Sequence, residues 1–212
     1  MTIEKHHTSL TEASELHRLI GYEKVRENEP LARHSTFRVG GPADYFCLPE
    51  TVEDIRHILA WADDACGVPW IVLGNGSNML FSDDGYHGMV IKIKGTQTSP
   101  GTLWHLNHHG NTVDVGAGIS MARMASYCAG IGLSGMEWAT GIPGVIGGSI
   151  KGNAGAHGWE MGDVVSEVEV ITRTGDIKKL KNDELGFGYR HSDLSPDLLI
   201  TRASFTMRQD HP

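Results

Sequence analysis

Glycine is concentrated in one stretch of this sequence. Residues Gly141–Gly158 read GIPGVIGGSIKGNAGAHG and contain seven glycines among eighteen residues. Glycine loses more backbone freedom on folding than any other residue, and in return it reaches positive φ and lets another group approach the main chain closely. Flexible linkers pair glycine with polar residues, whereas this stretch also contains a proline, a valine and three isoleucines. The composition predicts an ordered segment, either a ligand-binding loop, which fits better, or a tight structural turn.

A second glycine-containing loop, Gly74–Leu80, follows a short apolar strand predicted at Trp70–Leu73. Its sequence GNGSNML has two glycines that free the backbone, with Asn75, Ser77 and Asn78 as polar neighbours. Such a loop can direct several backbone N–H groups at one anion. It contains no lysine, so a phosphate bound there would be held mainly by neutral dipoles. From these residues alone, a turn rich in asparagine and glycine is an equal alternative.

Length and charge exclude several classes of protein. A chain of 212 residues can form one large domain or two small ones with a sizeable core. The formal net charge of −8, with no basic run, argues against a nucleic-acid-binding surface. No signal peptide or membrane-spanning segment is recognisable, so we expect a soluble cytoplasmic protein.

No metal site is predicted. The three cysteines, Cys47, Cys66 and Cys128, are far apart and are expected to be reduced and buried. The adjacent pairs His6-His7 and His108-His109 point in opposite directions on any regular element, so we interpret them as surface residues rather than metal ligands.

Hydrophobic periodicity predicts the α+β class, because strands outnumber helices and helices recur between them. Within Thr36–Phe46, the Gly40-Gly41-Pro42 triplet is expected to separate two strands. The other expected helices and strands are Leu10–Ile20, a helix capped by Thr51 and ended by Gly67, Trp70–Leu73, Val90–Ile93, Thr112–Val115, a helix from Ser120 to Ala129, a hairpin of Val164–Thr172 with Ile177–Leu180, and Leu199–Met207.

One apparent motif is rejected. Gly130–Gly135 reads GIGLSG and matches the letters of the dinucleotide fingerprint, which must follow a strand and open a helix. Here the motif follows a predicted helix, so Gly130 is interpreted as a helix C-cap.

Four motifs in this order resemble the UDP-N-acetylenolpyruvoylglucosamine reductases, also called UDP-N-acetylmuramate dehydrogenases. They are HSTFRVGGPAD, LGNGSNML with the following DDGYHG, GLSGMEWATGIPGVIGGSIKGNAGAHG, and FGYRHS. The resemblance covers about Pro30 to Met207. It implies an FAD-binding domain of the vanillyl-alcohol oxidase and p-cresol methylhydroxylase type, made of two α+β subdomains with the flavin between them. The expected bounds are 1–29 for an N-terminal tail and helix, 30–95 for the first subdomain, and 96–208 for the second.

The resemblance also implies an activity. NADPH would reduce the flavin, which would pass hydride to the enolpyruvyl group of a UDP-sugar to give UDP-N-acetylmuramate for peptidoglycan synthesis. The family has a C-terminal substrate domain that carries the proton donor. This chain stops before that domain, so a separate chain is one expected source of it. No nucleic-acid or membrane partner is expected.

Site residues follow by carrying the family motifs onto this sequence. Arg190 would be the catalytic cation that polarises the substrate carboxylate, with Tyr189 beside it at the substrate. The loop at 74–80 would bind the FAD pyrophosphate. Lys151-Gly152 departs from the apolar or aromatic pair common in the family, and Lys151 is a cation beside the expected flavin site. It would either face solvent, which fits better, or favour anionic flavin or a nucleotide phosphate. The residues expected to bind the cofactor are Gly74, Asn75, Gly76, Ser77, Asn78, Met79, Leu80, Gly141, Ile142, Pro143, Gly144, Gly147, Gly148, Asn153, Ala154, Gly155 and Ala156.

Two alternatives to a complete reductase remain at this point. The chain could be a flavin-binding module without the full chemistry, in which case it would take up flavin without substrate-dependent reoxidation. It could also be a structural or interaction protein that keeps the fold without flavin. The last alternative is the weakest, because such a chain has little need for two glycine-rich loops.

Overall fold

The computed structural model describes residues 10–65, 67–93 and 103–210. The predicted tail at 1–9 with its histidine pair, and Cys66, lie outside these residues. Within them, α-helices are interspersed among groups of strands. In order they are α1 Leu10–Ile20, β1 Val25–Pro30, β2 Pro42–Cys47, α2 Val52–Asp64, β3 Trp70–Leu73, β4 Tyr86–Lys92, β5 Leu106–His109, β6 Thr112–Gly116, α3 Met121–Gly130, β7 Leu133–Ser134, α4 Ile146–Lys151, β8 Gly155–Ala156, β9 Trp159–Glu160, β10 Val165–Ile171, β11 Ile177–Lys181, β12 Leu199–Thr206 and β13 Arg208–Gln209.

The first sheet has four strands in the order β1-β2-β4-β3. β1 pairs antiparallel with β2, whereas β4 pairs parallel with both β2 and β3. Parallel neighbours require a crossover connection, and α2 lies in the connection between β2 and β3. The Thr51 hydroxyl accepts a hydrogen bond from the Asp54 N–H while the Asp54 carboxylate accepts from the Thr51 N–H, which forms a capping box. The predicted Thr51 cap is confirmed.

The second sheet has five strands in the order β11-β10-β12-β6-β5, all antiparallel. Thr201, Ala203 and Phe205 of β12 are buried on one face, as the alternation predicts. α3 contributes Met121, Met124, Ala125 and Cys128 to the core. The hairpin of β10 and β11 is also confirmed, and Gly175 at its turn has a φ of 84°.

Three local predictions are wrong. The expected strands do not include β1, because its exposed positions are charged or polar. No strand forms at Thr36–Val39, where Arg38 donates a backbone hydrogen bond to the Ser35 carbonyl and has a φ of 56°. Gly130 is the last residue of α3 rather than its cap, and Gly132 is the glycine with a left-handed φ, 73°.

Two features are absent from the described residues. None of the helices there is long and apolar enough to cross a membrane. The same ranges contain no group of three or more His, Cys, Asp or Glu side chains placed to hold a metal ion. His108 and His109 are exposed on β5, and His108 lies 2.8 Å from the Tyr127 hydroxyl.

Candidate functional site

An apolar cleft of about 310 Å³ lies where the two sheets meet. The edge strand β3 of the first sheet forms one wall, and the start of β12 in the second sheet forms another. α4 lies between them. The residues that line the cleft are Trp70, Ile71, Val72, Leu73, Gly74, Met79, Ile93, Ala117, Val145, Gly147, Gly148, Lys151, Ser195, Pro196, Leu198, Leu199 and Ile200.

The two glycine-containing segments meet at this cleft. The Ser77 hydroxyl donates a hydrogen bond of 2.7 Å to the Pro143 carbonyl, across 66 residues of sequence. A β-carbon added at Gly74 would lie only 2.8 Å from a methyl group of Val145. Of the predicted cofactor residues, Gly74, Met79, Gly147 and Gly148 line the cleft. The contact between the segments makes one site of two motifs that are separate in the sequence.

Gly76 has a role within the chain itself. Its φ is 68°, and an added β-carbon would lie 2.1 Å from the His34 carbonyl oxygen. The Gly76 carbonyl accepts a 3.1 Å hydrogen bond from the Thr36 N–H. Packing against the turn at 34–36 therefore requires glycine here, whether or not a ligand approaches.

Contacts within the chain require glycine at position 76 but not at position 148. An added β-carbon there would contact only a Val145 methyl group, at an ordinary 3.9 Å. The residue lies within α4 on the exposed side that lines the cleft, and glycine within a helix costs about 1 kcal/mol relative to alanine. Its neighbour Gly147 packs closely, 3.1 Å from the Ala117 methyl group. An open glycine on the cleft wall fits a flat group that approaches the main chain of α4.

Asn153 is fully buried and its side chain serves the fold. Its amide nitrogen donates to the Gly188 carbonyl at 2.9 Å, and its amide oxygen accepts from the Gly162 N–H at 3.0 Å. Asn153 also has a positive φ of 41°, which asparagine adopts more readily than most residues. Asn153 therefore connects the segment that follows α4 to the hairpin at Gly188–His191, which contains Arg190.

Arg190 lies at the tip of that hairpin. Gly188 and His191 exchange backbone hydrogen bonds of 3.0 Å, which leaves Tyr189 and Arg190 as the two-residue turn. An Arg190 Nη2–H donates to the Gly155 carbonyl at 2.8 Å, and the guanidinium lies 5.8 Å from the centre of the Tyr189 ring. Tyr189 is 90% exposed.

Left-handed backbone conformations cluster around this hairpin. Five non-glycine residues in the described ranges have positive φ, and three of them, Asn153, His157 and Arg190, belong to these two segments. Such conformations cost roughly 1–3 kcal/mol each and recur at functional sites. The Ser192 hydroxyl donates to the Lys151 carbonyl at 2.8 Å and so joins the hairpin to the cleft wall.

The turn that supports Gly76 is held by a small polar cluster. Burial alone would raise the pKa of Glu29, but hydrogen bonds from His34 at 2.8 Å and Arg26 at 3.0 Å outweigh it and lower that pKa. Burial lowers the pKa of His34, whose ring stacks on Phe46 at 4.2 Å. Both pKa shifts favour the deprotonated form of the side chain.

The sequence motifs did not indicate most of the cleft wall. Trp70, Leu198 and Ile200 were read only as members of strands or their flanks, because facing across the cleft depends on how the two sheets pack. Solvent exposure is the preferred sequence-based interpretation of Lys151, with contact to anionic flavin or a nucleotide phosphate as the alternative. Lys151 is exposed, and it also lines the cleft.

The cleft lies between two sheets and is lined by residues of both glycine-containing segments. This arrangement is typical of a cofactor-binding domain. Residues 43–181 match the model of the family described as FAD binding domain. The chain therefore belongs to the FAD binding domain family.

Its FAD-binding region is similar to that of UDP-N-acetylenolpyruvoylglucosamine reductases, as the motifs predict. The reductase of Bacillus velezensis is 43% identical over 174 residues, which are 81% of this chain and 54% of that protein. The reductase of Bacillus subtilis is 41% identical over 171 residues, again 81% of this chain and 54% of the relative. The chain thus spans about half the length of these relatives.

Solved structures agree with the predicted fold class. The structure of the reductase from Thermus caldophilus has a TM-score of 0.72 and 35% identity, covering 88% of this chain and 64% of that one. A VAO-type flavoprotein from Myceliophthora thermophila has a TM-score of 0.71 at 12% identity, covering 95% of this chain and 47% of its own. The second likeness concerns the fold alone, and it confirms the vanillyl-alcohol oxidase type.

Proposed function

We propose that this chain is the FAD-binding part of an enzyme that reduces UDP-N-acetylglucosamine enolpyruvate to UDP-N-acetylmuramate, with NADPH as the hydride donor. The reaction would serve peptidoglycan precursor synthesis in the cytoplasm. Similarity to the two Bacillus reductases over 81% of the chain supports this proposal.

The residues at the cleft fit FAD. The loop Gly74–Leu80 would direct backbone N–H groups and polar side chains at the pyrophosphate, and Gly148 leaves its part of the cleft wall open for the cofactor. Bound FAD would supply the redox chemistry, taking hydride from NADPH and giving it to the enolpyruvyl double bond. The apolar lining would exclude water from that part of the cofactor which it covers.

Arg190 would act on the substrate. Hydride addition to the enolpyruvyl β-carbon leaves negative charge shared with the carboxylate, and a fixed cation stabilises charge as it develops. One of the five guanidinium N–H donors bonds to the Gly155 carbonyl and anchors the group. The other donors can bond to a substrate. Tyr189, at 90% exposure, is available to the same substrate.

The conformation of Arg190 is the observation that most strongly supports the proposal. Arg190 keeps a left-handed backbone, with a φ of 55°, and is bonded to Gly155 within the glycine-rich segment that also forms the cleft wall. Non-glycine residues held in the left-handed region cluster at active sites and ligand-binding segments, so this conformation supports a functional role for Arg190.

A second candidate function is favoured by the length of the match. The match spans 54% of the Bacillus velezensis relative, and the second candidate is a flavin-binding module that works together with a substrate domain. Such a module would accept electrons and would not complete the reduction by itself.

An anaerobic absorbance experiment separates the two candidates. The FAD-loaded chain is mixed with NADPH, and UDP-N-acetylglucosamine enolpyruvate is added after bleaching. Reoxidation by the UDP-sugar is expected for a working reductase, whereas bleaching that persists until air is admitted would identify the module. A chain that binds FAD but is bleached by dithionite and not by NADPH would contradict the assigned hydride donor.

A further inference from the structure

The predicted pyrophosphate loop lacks a positive charge. Gly74–Leu80 contains no lysine or arginine, although the pyrophosphate of FAD carries two negative charges near neutral pH. Backbone dipoles can bind such a group, but an ammonium or guanidinium partner makes hydrogen bonds roughly twice as strong. A cation on the described part of the cleft wall would supply such a partner.

Lys151 is the only ionisable side chain among the described residues that line the cleft. It is the last residue of α4, and its Nζ donates a hydrogen bond to the Leu194 carbonyl. The Ser192 hydroxyl bonds to the Lys151 carbonyl at 2.8 Å, which fixes the backbone from which the side chain extends. The charge therefore lies on a wall that is otherwise apolar.

No carboxylate contributes to the pKa of Lys151. Burial is the sole cause of its lowered pKa. Two other lysines differ in this respect, since Lys24 lies 2.9 Å from Asp54 and Lys179 lies 2.8 Å from Glu167. The Lys151 ammonium has a neutral carbonyl as its partner, and a hydrogen bond to an anion would be stronger than one to a carbonyl. A negatively charged ligand in the cleft would supply that anion and raise the pKa of the amine.

We propose that the Lys151 ammonium binds the pyrophosphate of FAD from the α4 wall of the cleft, opposite the neutral Gly74–Leu80 loop. The inference rests on the proposed function, because it assigns a residue to the cofactor that the proposed function requires. The same cleft is lined by Gly74 at the start of the loop and by Lys151. On binding, the amine exchanges its bond to the Leu194 carbonyl for a charge-assisted bond to phosphate oxygen.

The test compares Lys151→Met with Lys178→Met. Methionine keeps most of the apolar stem of lysine and removes the charge, and Lys178 is an exposed lysine on the edge strand β11 that does not line the cleft. Dissociation constants are measured for FAD, ADP, adenosine and riboflavin at low and high salt. Thermal melting of each variant verifies folding, and Lys151→Arg provides a variant that keeps the charge.

For Lys151→Met we expect FAD and ADP to bind roughly 10- to 100-fold more weakly, as for the loss of one charged hydrogen bond. Adenosine and riboflavin should bind as in the wild type, since neither contains phosphate. The salt dependence of FAD binding should decrease, Lys151→Arg should retain most of the affinity, and Lys178→Met should match the wild type.

Three outcomes would overturn the inference. Unchanged FAD affinity in Lys151→Met, with wild-type FAD binding intact, would refute the role of Lys151 and leave the proposed function standing. Weaker binding of FAD and riboflavin but not ADP would move the contact to the isoalloxazine ring. A folded wild-type chain that binds no FAD would overturn the proposed function itself.

Discussion

Replacing Gly148 by alanine should change stability and cofactor affinity in opposite directions. The residue lies within α4, its φ is not in the left-handed region, and a β-carbon would contact only a Val145 methyl group at 3.9 Å. The apo protein therefore accommodates the methyl group without strain. Alanine also restricts the unfolded chain more than glycine does.

The magnitudes follow from these contacts. Gly148→Ala should raise the free energy of unfolding by about 0.5–1 kcal/mol, which corresponds to a Tm increase of about 1–4 °C for a chain of this size. With FAD in the cleft, the same methyl group would occupy space that the cofactor needs. Overpacking of this kind costs about 1–3 kcal/mol, so FAD should bind roughly 5- to 150-fold more weakly.

Calorimetry and FAD fluorescence quenching measure the two effects on one preparation. Gly130→Ala is the matched control, because Gly130 is the last residue of α3, its β-carbon would meet nothing within 4 Å, and it does not line the cleft. The control should leave FAD affinity unchanged. If Gly148→Ala is more stable and still binds FAD with wild-type affinity, the open glycine does not serve the cofactor and the reasoning is wrong.

Three further predictions concern the rest of the site and its scaffold. Arg190→Ala should retain FAD in a quenching titration and lose reoxidation by the UDP-sugar in any complete form of the enzyme; undiminished reoxidation would remove its catalytic role. Asn153→Ala leaves the Gly162 N–H and the Gly188 carbonyl without their partner, and should lower the free energy of unfolding in urea by about 2–4 kcal/mol. Burial alone would raise the pKa of Asp54, but hydrogen bonds from two backbone N–H groups and a lysine lower it; this stabilisation is therefore complete above the unfolded pKa of about 3.9 and is lost as the pH falls through the lower folded value. Asp54→Asn should flatten the acid side of a Tm–pH profile, and an unchanged profile would contradict that contribution.

Local signals in the sequence were sufficient for several elements. α1 spans the predicted residues Leu10–Ile20 and ends at Ile20, because its apolar spacing is regular. Thr51 precedes the helix whose first turn it caps, so the signal and its effect are adjacent. The fold class and the reductase resemblance were also predicted correctly, since four motifs agreed.

Other elements depend on contacts between distant residues. α4 was not predicted, because it contains two glycines and follows a proline. It is stabilised by hydrogen bonds from the Ile146 N–H to the Ile119 carbonyl and from the Gly147 N–H to the Ala117 carbonyl. Among the described strands, β1 pairs only with β2, and its polar residues give no strand pattern. Such elements follow from tertiary packing rather than propensity.

The candidate site shows the same division. Glycines in both loops could be assigned to a cofactor from the sequence, yet the structure separates Gly76, which the turn at His34 requires, from Gly148, which the chain itself does not. The amide of Asn153 bonds to residues 9 and 35 positions away. Only the folded chain reveals such partners, so the subdomain bounds and the roles of individual site residues stay predictions.

Binding of FAD by the purified chain is the most direct test of the central claim, that the cleft between the two sheets is a cofactor site. FAD fluorescence is titrated with protein, and the bound complex is isolated by gel filtration to determine the ratio of flavin to chain. We predict saturable binding of one FAD per chain, weakened by Gly148→Ala and competed by ADP. A folded chain that leaves FAD fluorescence unchanged and elutes without flavin would contradict the claim.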